Sequence, residues 1–203
     1  MAQNQNIAAI IDLETTGLSP VRDEIIEIGI VLFRFTSTMD VLEVVNTYQA
    51  LRQPTCRLSP RAKAVHGITY EQLQGKEFDC TEIELILNQG NMIISHNARF
   101  DYGFIVRMFP RLSNYKWYCT LSGISWLQKG VSSRSLSNLC KYYGIPVHTS
   151  HRALADALLT LRLLSVVGNQ GVTHLYEMLN NPPYSNGTSR ERRDYTEEDR
   201  KVL

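Results

Sequence analysis

Residues 7–11 (IAAII) form an unbroken apolar run, the pattern of a strand covered on both faces. Asp12 and Glu14 then interrupt it, and Thr15-Thr16-Gly17 supply turn-forming residues. On a strand, residues i and i+2 point to the same side, so both carboxylates share one face and Leu13 takes the other. Two carboxylates at the end of a buried strand repel each other and lose hydration. Either a cation lies between them, or the strand ends in two solvated acids.

Further along, residues 24–35 (EIIEIGIVLFRF) predict a second strand. Ile26, Ile28, Ile30 and Leu32 make one apolar face, and Ile25, Glu27, Gly29 and Val31 a mixed one. The short connection suits an antiparallel hairpin. Residues 40–51 predict a third strand and 52–58 a loop. Ser59-Pro60 is a helix start, with Pro at the first helical position, and that helix ends near His66-Gly67. Thr69 opens another brief helix, with Glu71 and Gln72 as capping candidates. Residues 82–89 read as helix, 91–95 as a short strand, 100–109 as helix and 115–120 as a fifth strand. Helices are predicted over 121–128 and 135–143, the latter closed by Gly144 before Pro146. Residues 152–167 give the longest apolar helix and 171–179 a final short one. From Pro182 onward apolar periodicity stops, and residues 181–203 read as a polar, flexible tail after a domain spanning 1–180. Strands first, then strand and helix alternating, predict a mixed α/β sheet with helices on its faces.

Composition narrows this only in part. The 203 residues suffice for one α/β domain with an appendage, and 43% apolar content gives it a sizeable core. A formal net charge of +1 means that any basic surface for nucleic acid must be local. Cys56, Cys80, Cys119 and Cys140 are widely spaced with no C-x-x-C, which suggests reduced, mostly buried thiols in a cytoplasmic protein. The first apolar run is too short for a signal-peptide core or a membrane span.

Two more stretches carry chemistry. Residues 96–101 (HNARFD) follow a buried strand and lead into a helix, and strand ends are where sites form in open α/β sheets. Asp101 also has a plain explanation, since acids are favoured near helix N-termini. His96 reads as structural. In residues 151–164 (HRALADALLTLRLL), Asp156 shares its helix side with Leu159, Thr160 and Leu163. A buried carboxylate there needs a partner, either Arg152, four residues back, or a metal. His151 precedes Asp156 by five residues, about 140° around an ideal helix, so both reach one site only if His151 lies on the loop before the helix. His148 reads as loop surface.

Together these stretches offer four carboxylates and one histidine. Hard oxygen ligands suit Mg²⁺ or Mn²⁺. Two such ions roughly 3.5–4 Å apart can clamp the attacking and leaving oxygens of a phosphoryl displacement. A neutral histidine is a suitable base for the attacking water near pH 7. Parts and chemistry agree on metal-dependent phosphodiester hydrolysis.

The motifs Asp12-Leu13-Glu14-Thr15-Thr16-Gly17-Leu18, His96-Asn97-Ala98-Arg99-Phe100-Asp101 and His151-Arg152-Ala153-Leu154-Ala155-Asp156 resemble those of the DEDD exonucleases of the histidine subtype. The tyrosine subtype would carry Tyr where Arg152 stands. Softer matches are Ala64-Val65-His66-Gly67-Ile68-Thr69 and the stretch from Ser135 to Ile145. The resemblance covers roughly residues 6–168 and is closest to the proofreading epsilon subunit of bacterial replicative DNA polymerase and its stand-alone relatives. It implies a ribonuclease H-like sheet of about five strands with helices on both faces. By the same resemblance, Asp12, Glu14 and Asp156 would hold one metal, with Asp12 reaching a second. Asp101 would act through a metal-bound water and His151 as general base. Thr15, Leu18 and His66 would line the terminal-nucleotide pocket. The implied reaction is 3′→5′ removal of nucleoside 5′-monophosphates from single-stranded or frayed DNA. The same chemistry on RNA, as in oligoribonuclease or ribonuclease T, and a non-catalytic module binding nucleic acid or a polymerase are the alternatives. A polymerase or repair assembly is the expected setting, and no membrane is.

Overall fold

The computed structural model describes residues 6–147, 151–168 and 170–185. His148 and most of the polar tail lie outside them. Strand β1 (Asn6–Thr15) pairs antiparallel with β2 (Ile25–Phe35), and β2 in turn with β3 (Val41–Leu51). The chain then runs through three short helices, α1 (Pro60–His66), α2 (Tyr70–Leu73) and α3 (Cys80–Leu87). It returns as β4 (Met92–Ser95), parallel to β1, followed by α4 (Ala98–Met108). Next come β5 (Lys116–Cys119), parallel to β4, and α5 (Thr120–Gly123). The remaining helices are α6 (Leu136–Tyr142), α7 (Ala153–Leu164) and α8 (His174–Leu179). The sheet order is β3-β2-β1-β4-β5, the mixed five-stranded sheet that the alternation of elements predicts.

The strand period of two sorts β1 and β2 into two cores. Ala9, Ile11, Leu13, Ile28, Ile30 and Leu32 pack against α3 and α4, through Ile83, Leu87, Phe104 and Ile105. Ala8, Ile10, Val31 and Phe33 pack on the other face against α6, α7 and α8, through Leu139, Ala157, Leu161 and Leu175. Asp12 and Glu14 continue the row Ala8-Ile10, so the face that α7 covers turns from apolar to acidic along β1. Directly opposite on β2 are Gly29, facing Asp12, and Glu27, facing Glu14.

Some expected boundaries differ. Residues 121–128 do not form one helix: Ile124 is extended, and a separate 3₁₀ turn covers Trp126–Lys129. Trp126 causes the break, since its buried indole N–H donates to the Thr120 carbonyl at 2.8 Å. The longest helix stops at Leu164, because Val167 leaves it to bridge Thr173. Only Cys119 and Cys140 are buried; Cys80 is exposed at the start of α3 and Cys56 is half-buried. Ser59 starts α1, and Thr69 with Gln72 forms a capping box on α2. Beyond α8 the chain turns back along β5, where the Tyr184 N–H donates to the Trp117 carbonyl at 2.7 Å.

Candidate active site

Three elements bring the predicted acids together. Asp12 and Glu14 come from the end of β1, Asp101 from the first turn of α4 at the end of neighbouring β4, and Asp156 from the first turn of α7. Carboxylate oxygens of Asp12, Glu14 and Asp156 all lie within 4.8 Å of one another. Asp101 stands outside that trio, yet among the surrounding charges it acts most strongly on Asp12. It is 3% exposed, so it is not a solvated helix-start acid.

Such crowding has an electrostatic consequence. Burial, then repulsion from Asp101, Asp156, Glu14 and Glu27, raises the Asp12 carboxyl well above its usual range. Burial, then repulsion from Asp156, pushes Glu14 up to about 8, with His151 pulling the other way. Burial takes Asp101 to about 8 as well. A cluster this reluctant to ionise is a poor solvated patch and a good cation trap. Its donors are hard oxygens, which fit Mg²⁺ or Mn²⁺.

Helix α7 begins at Ala153, with Arg152 as its N-cap, so His151 lies outside the helix. Its Nδ1 is 3.6 Å from Asp156 Oδ2, and its side chain is half exposed. The Asp156 carboxylate beside it raises the imidazole pKa. His96 is structural: Nδ1 bonds with the Thr120 hydroxyl at 2.6 Å and Nε2 with the Arg134 carbonyl at 3.0 Å.

The three expected pocket residues sit beside β1. The Thr15 hydroxyl donates to the Gly17 carbonyl at 2.6 Å, and the Thr16 N–H to the Glu24 carbonyl at 2.9 Å. Asp23 accepts from the Ser19 N–H at 2.8 Å, and Arg107 donates to the Pro20 carbonyl at 2.6 Å. These bonds pin the loop that holds Leu18 out, 55% exposed. The buried His66 accepts the Ile68 N–H on Nδ1 at 3.0 Å, which leaves the proton on Nε2. That Nε2 is buried and makes no close hydrogen bond, though the Thr15 backbone lies near enough to act on the ring. Burial lowers its pKa, so the ring is neutral.

Arg152 is not the partner of Asp156. Its Nη2 donates to Glu27 Oε1 at 2.6 Å, and its Nε lies 2.9 and 3.1 Å from the two Glu27 oxygens. Glu27 also accepts from the Ala153 N–H at 3.1 Å and from Gln49 Nε2 at 2.6 Å. This fully buried carboxylate escapes sequence reading, although an acid inside an apolar strand was its signal. Gly29 belongs with it: a Cβ there would lie 2.2 Å from the Leu154 nitrogen and 2.3 Å from the Ala153 carbonyl carbon. The helix start packs on backbone that only glycine leaves open.

The exonuclease family pattern (RNase T) matches residues 9–164, the span holding all four acids and the histidine. The chain belongs to the exonuclease family. It is 32% identical over 184 residues to a PolC-type DNA polymerase III of Thermotoga petrophila, covering 84% of this chain and 13% of that one. It is 29% identical over 164 residues to the 3′-5′ exonuclease DinG of Staphylococcus saprophyticus, covering 78% of this chain and 18% of that one. The chain thus spans less than a fifth of the length of these relatives. Among solved structures, Escherichia coli exonuclease I bound to single-stranded DNA shares the fold. Its TM-score is 0.65 at 21% identity, over 86% of this chain and 43% of that one. Exonuclease X bound to a 5′-overhanging duplex aligns with a TM-score of 0.54 at 26% identity, over 83% of this chain and 99% of that one. The chain is thus an exonuclease domain by family, with the fold of solved exonucleases. Among the described residues no helix is long and apolar enough to cross a membrane.

Proposed function

We propose that this domain removes nucleoside 5′-monophosphates from the 3′ ends of DNA, using two divalent cations and His151 as general base. The observation that carries this reading is the trio of carboxylates within 4.8 Å, with His151 poised beside Asp156 just outside α7. Asp12, Glu14 and Asp156 would hold the cations, with Asp12 shared between them and Asp101 supporting the site from the first turn of α4. When bound, the cations supply Lewis-acid stabilisation of the attacking and leaving oxygens. They also neutralise a buried acidic cluster that would otherwise repel a phosphodiester.

His151 Nδ1 faces Asp156, so the free nitrogen, Nε2, takes the proton from the attacking water. Asp156 orients the ring and stabilises the imidazolium that forms. The buried Nε2–H of His66 and the adjacent Thr15 line the terminal-nucleotide pocket, and the exposed Leu18 stacks on its base. DNA is favoured because the named relatives are DNA polymerases and a 3′-5′ exonuclease, and because exonucleases I and X were each solved with DNA. The polymerase relatives support work beside a polymerase or repair assembly on single-stranded or frayed ends. Four free thiols fit a cytoplasmic setting.

Two 5′-labelled single strands of one sequence, DNA and RNA, incubated in Mg²⁺, Mn²⁺ and EDTA, test this. A one-nucleotide ladder shrinking from the 3′ end of the DNA, absent in EDTA, is the expected result. A ladder mainly on RNA moves the function to RNA processing. No ladder on either overturns the catalytic reading.

A further inference from the structure

Glu27 takes no part in the hydrolysis proposed above, yet it is fully buried and faces Glu14 across the β1–β2 pair. As a stabilising device the Glu27–Arg152 pair is poorly chosen. Desolvation offsets most of the Coulomb gain of a buried ion pair, and apolar residues of similar volume do as well. Here the pair also sets a fifth carboxylate among four that already repel one another.

Its geometry explains the placement. Arg152 lies four residues before Asp156, as the N-cap of the helix whose first turn carries that acid. Glu27 instead ties the guanidinium to the sheet through Nε and Nη2. The same carboxylate accepts the Ala153 N–H, the first amide of α7, and so caps a helix whose own N-cap side chain makes no cap bond. One residue therefore fixes both the first amide of α7 and the direction of the Arg152 guanidinium.

We propose that Glu27 is a positioning residue that sequesters the Arg152 guanidinium, so that Asp156 and Glu14 remain open to a divalent cation. This rests on the cation-assisted reading above. Without Glu27, Arg152 is the cation closest to hand and becomes an internal counter-ion that competes for the site. The charge balance gives a signature that packing alone does not. Removing Glu27 weakens cation binding, removing Arg152 does not, and removing both restores it.

The test is direct Mn²⁺ binding by titration calorimetry without nucleic acid, on the whole chain. It compares wild type, Glu27→Gln, Arg152→Gln and the double variant, with thermal unfolding of each in EDTA. Glu27→Gln should weaken Mn²⁺ binding roughly 10–100-fold, the usual effect of losing a residue that supports metal ligands. Arg152→Gln should bind at least as tightly as wild type, and the double variant should recover most of the loss. Wild-type affinity in Glu27→Gln, or a double variant no tighter than Glu27→Gln, overturns the proposal while leaving the cation reading intact. No Mn²⁺ binding by wild type overturns that reading and this one together. If Glu27→Gln does not fold, Arg152→Gln decides: a folded Arg152→Gln that loses Mn²⁺ affinity refutes competition by the guanidinium.

Discussion

His151 Nδ1 and Asp156 Oδ2 lie 3.6 Å apart, although an unbroken helix would turn the two residues about 140° from one another. They meet because α7 starts after His151. His151→Ala should therefore lower kcat roughly 10²–10⁴-fold, the size of a general-base contribution. Mn²⁺ affinity should persist, since the carboxylate trio is untouched. Single-turnover hydrolysis beside a calorimetric Mn²⁺ titration separates the two effects.

Burial and four neighbouring carboxylates oppose the Asp12 charge. Asp12→Asn should abolish hydrolysis. In EDTA at pH 8 it should unfold at the same temperature as wild type or higher, because it removes a repulsive buried charge and keeps the shape. Such an exchange of activity for stability is common where a site is built from strained electrostatics. Thermal unfolding followed by circular dichroism, with an end-labelled hydrolysis assay, checks both halves.

Glu14 and Asp101 have folded-state pKa values of about 8, against about 4 for unfolded carboxyls. Carboxyls raised in this way hold more protons in the folded chain than in the unfolded one. Their contribution is therefore fully favourable at low pH and is lost as pH rises from about 4 to about 8. His151, also raised, acts in the same direction. Metal-free protein should thus lose melting temperature between pH 5 and 8, as scanning calorimetry in EDTA will show. Added Mg²⁺ or Mn²⁺ should restore it most at the alkaline end.

Gly29 leaves space for the backbone of Ala153 and Leu154. Gly29→Ala places a methyl where two backbone atoms stand, so α7 must shift from the sheet. A stability loss of about 1–3 kcal/mol is expected from such overpacking, with a larger relative loss of activity because His151 and Asp156 move with the helix. Urea unfolding and initial rates on labelled DNA measure the two losses.

Much of the site was legible because it is written in local patterns. An apolar run that turns to Asp12-x-Glu14 specifies a strand face, and the five-residue step from His151 to Asp156 specifies a helix boundary. The role of Glu27 was not legible. On β2 it reads as one acid on a mixed face, and its partner Arg152 is 125 positions away. The local spacing even offered Arg152 to Asp156, a pairing that the fold overrides through a contact distant in sequence. Likewise nothing local marks the break after α5, since it follows from the burial of Trp126 and its bond to Thr120.

Because α7 supplies Asp156 and starts directly after His151 and Arg152, the hydrolytic centre proposed here closes only once α7 packs on the sheet. A polypeptide still leaving the ribosome carries Asp12, Glu14 and Asp101 long before it carries their counterparts. On this mechanism every truncated product that ends ahead of α7 is inert toward nucleic acid.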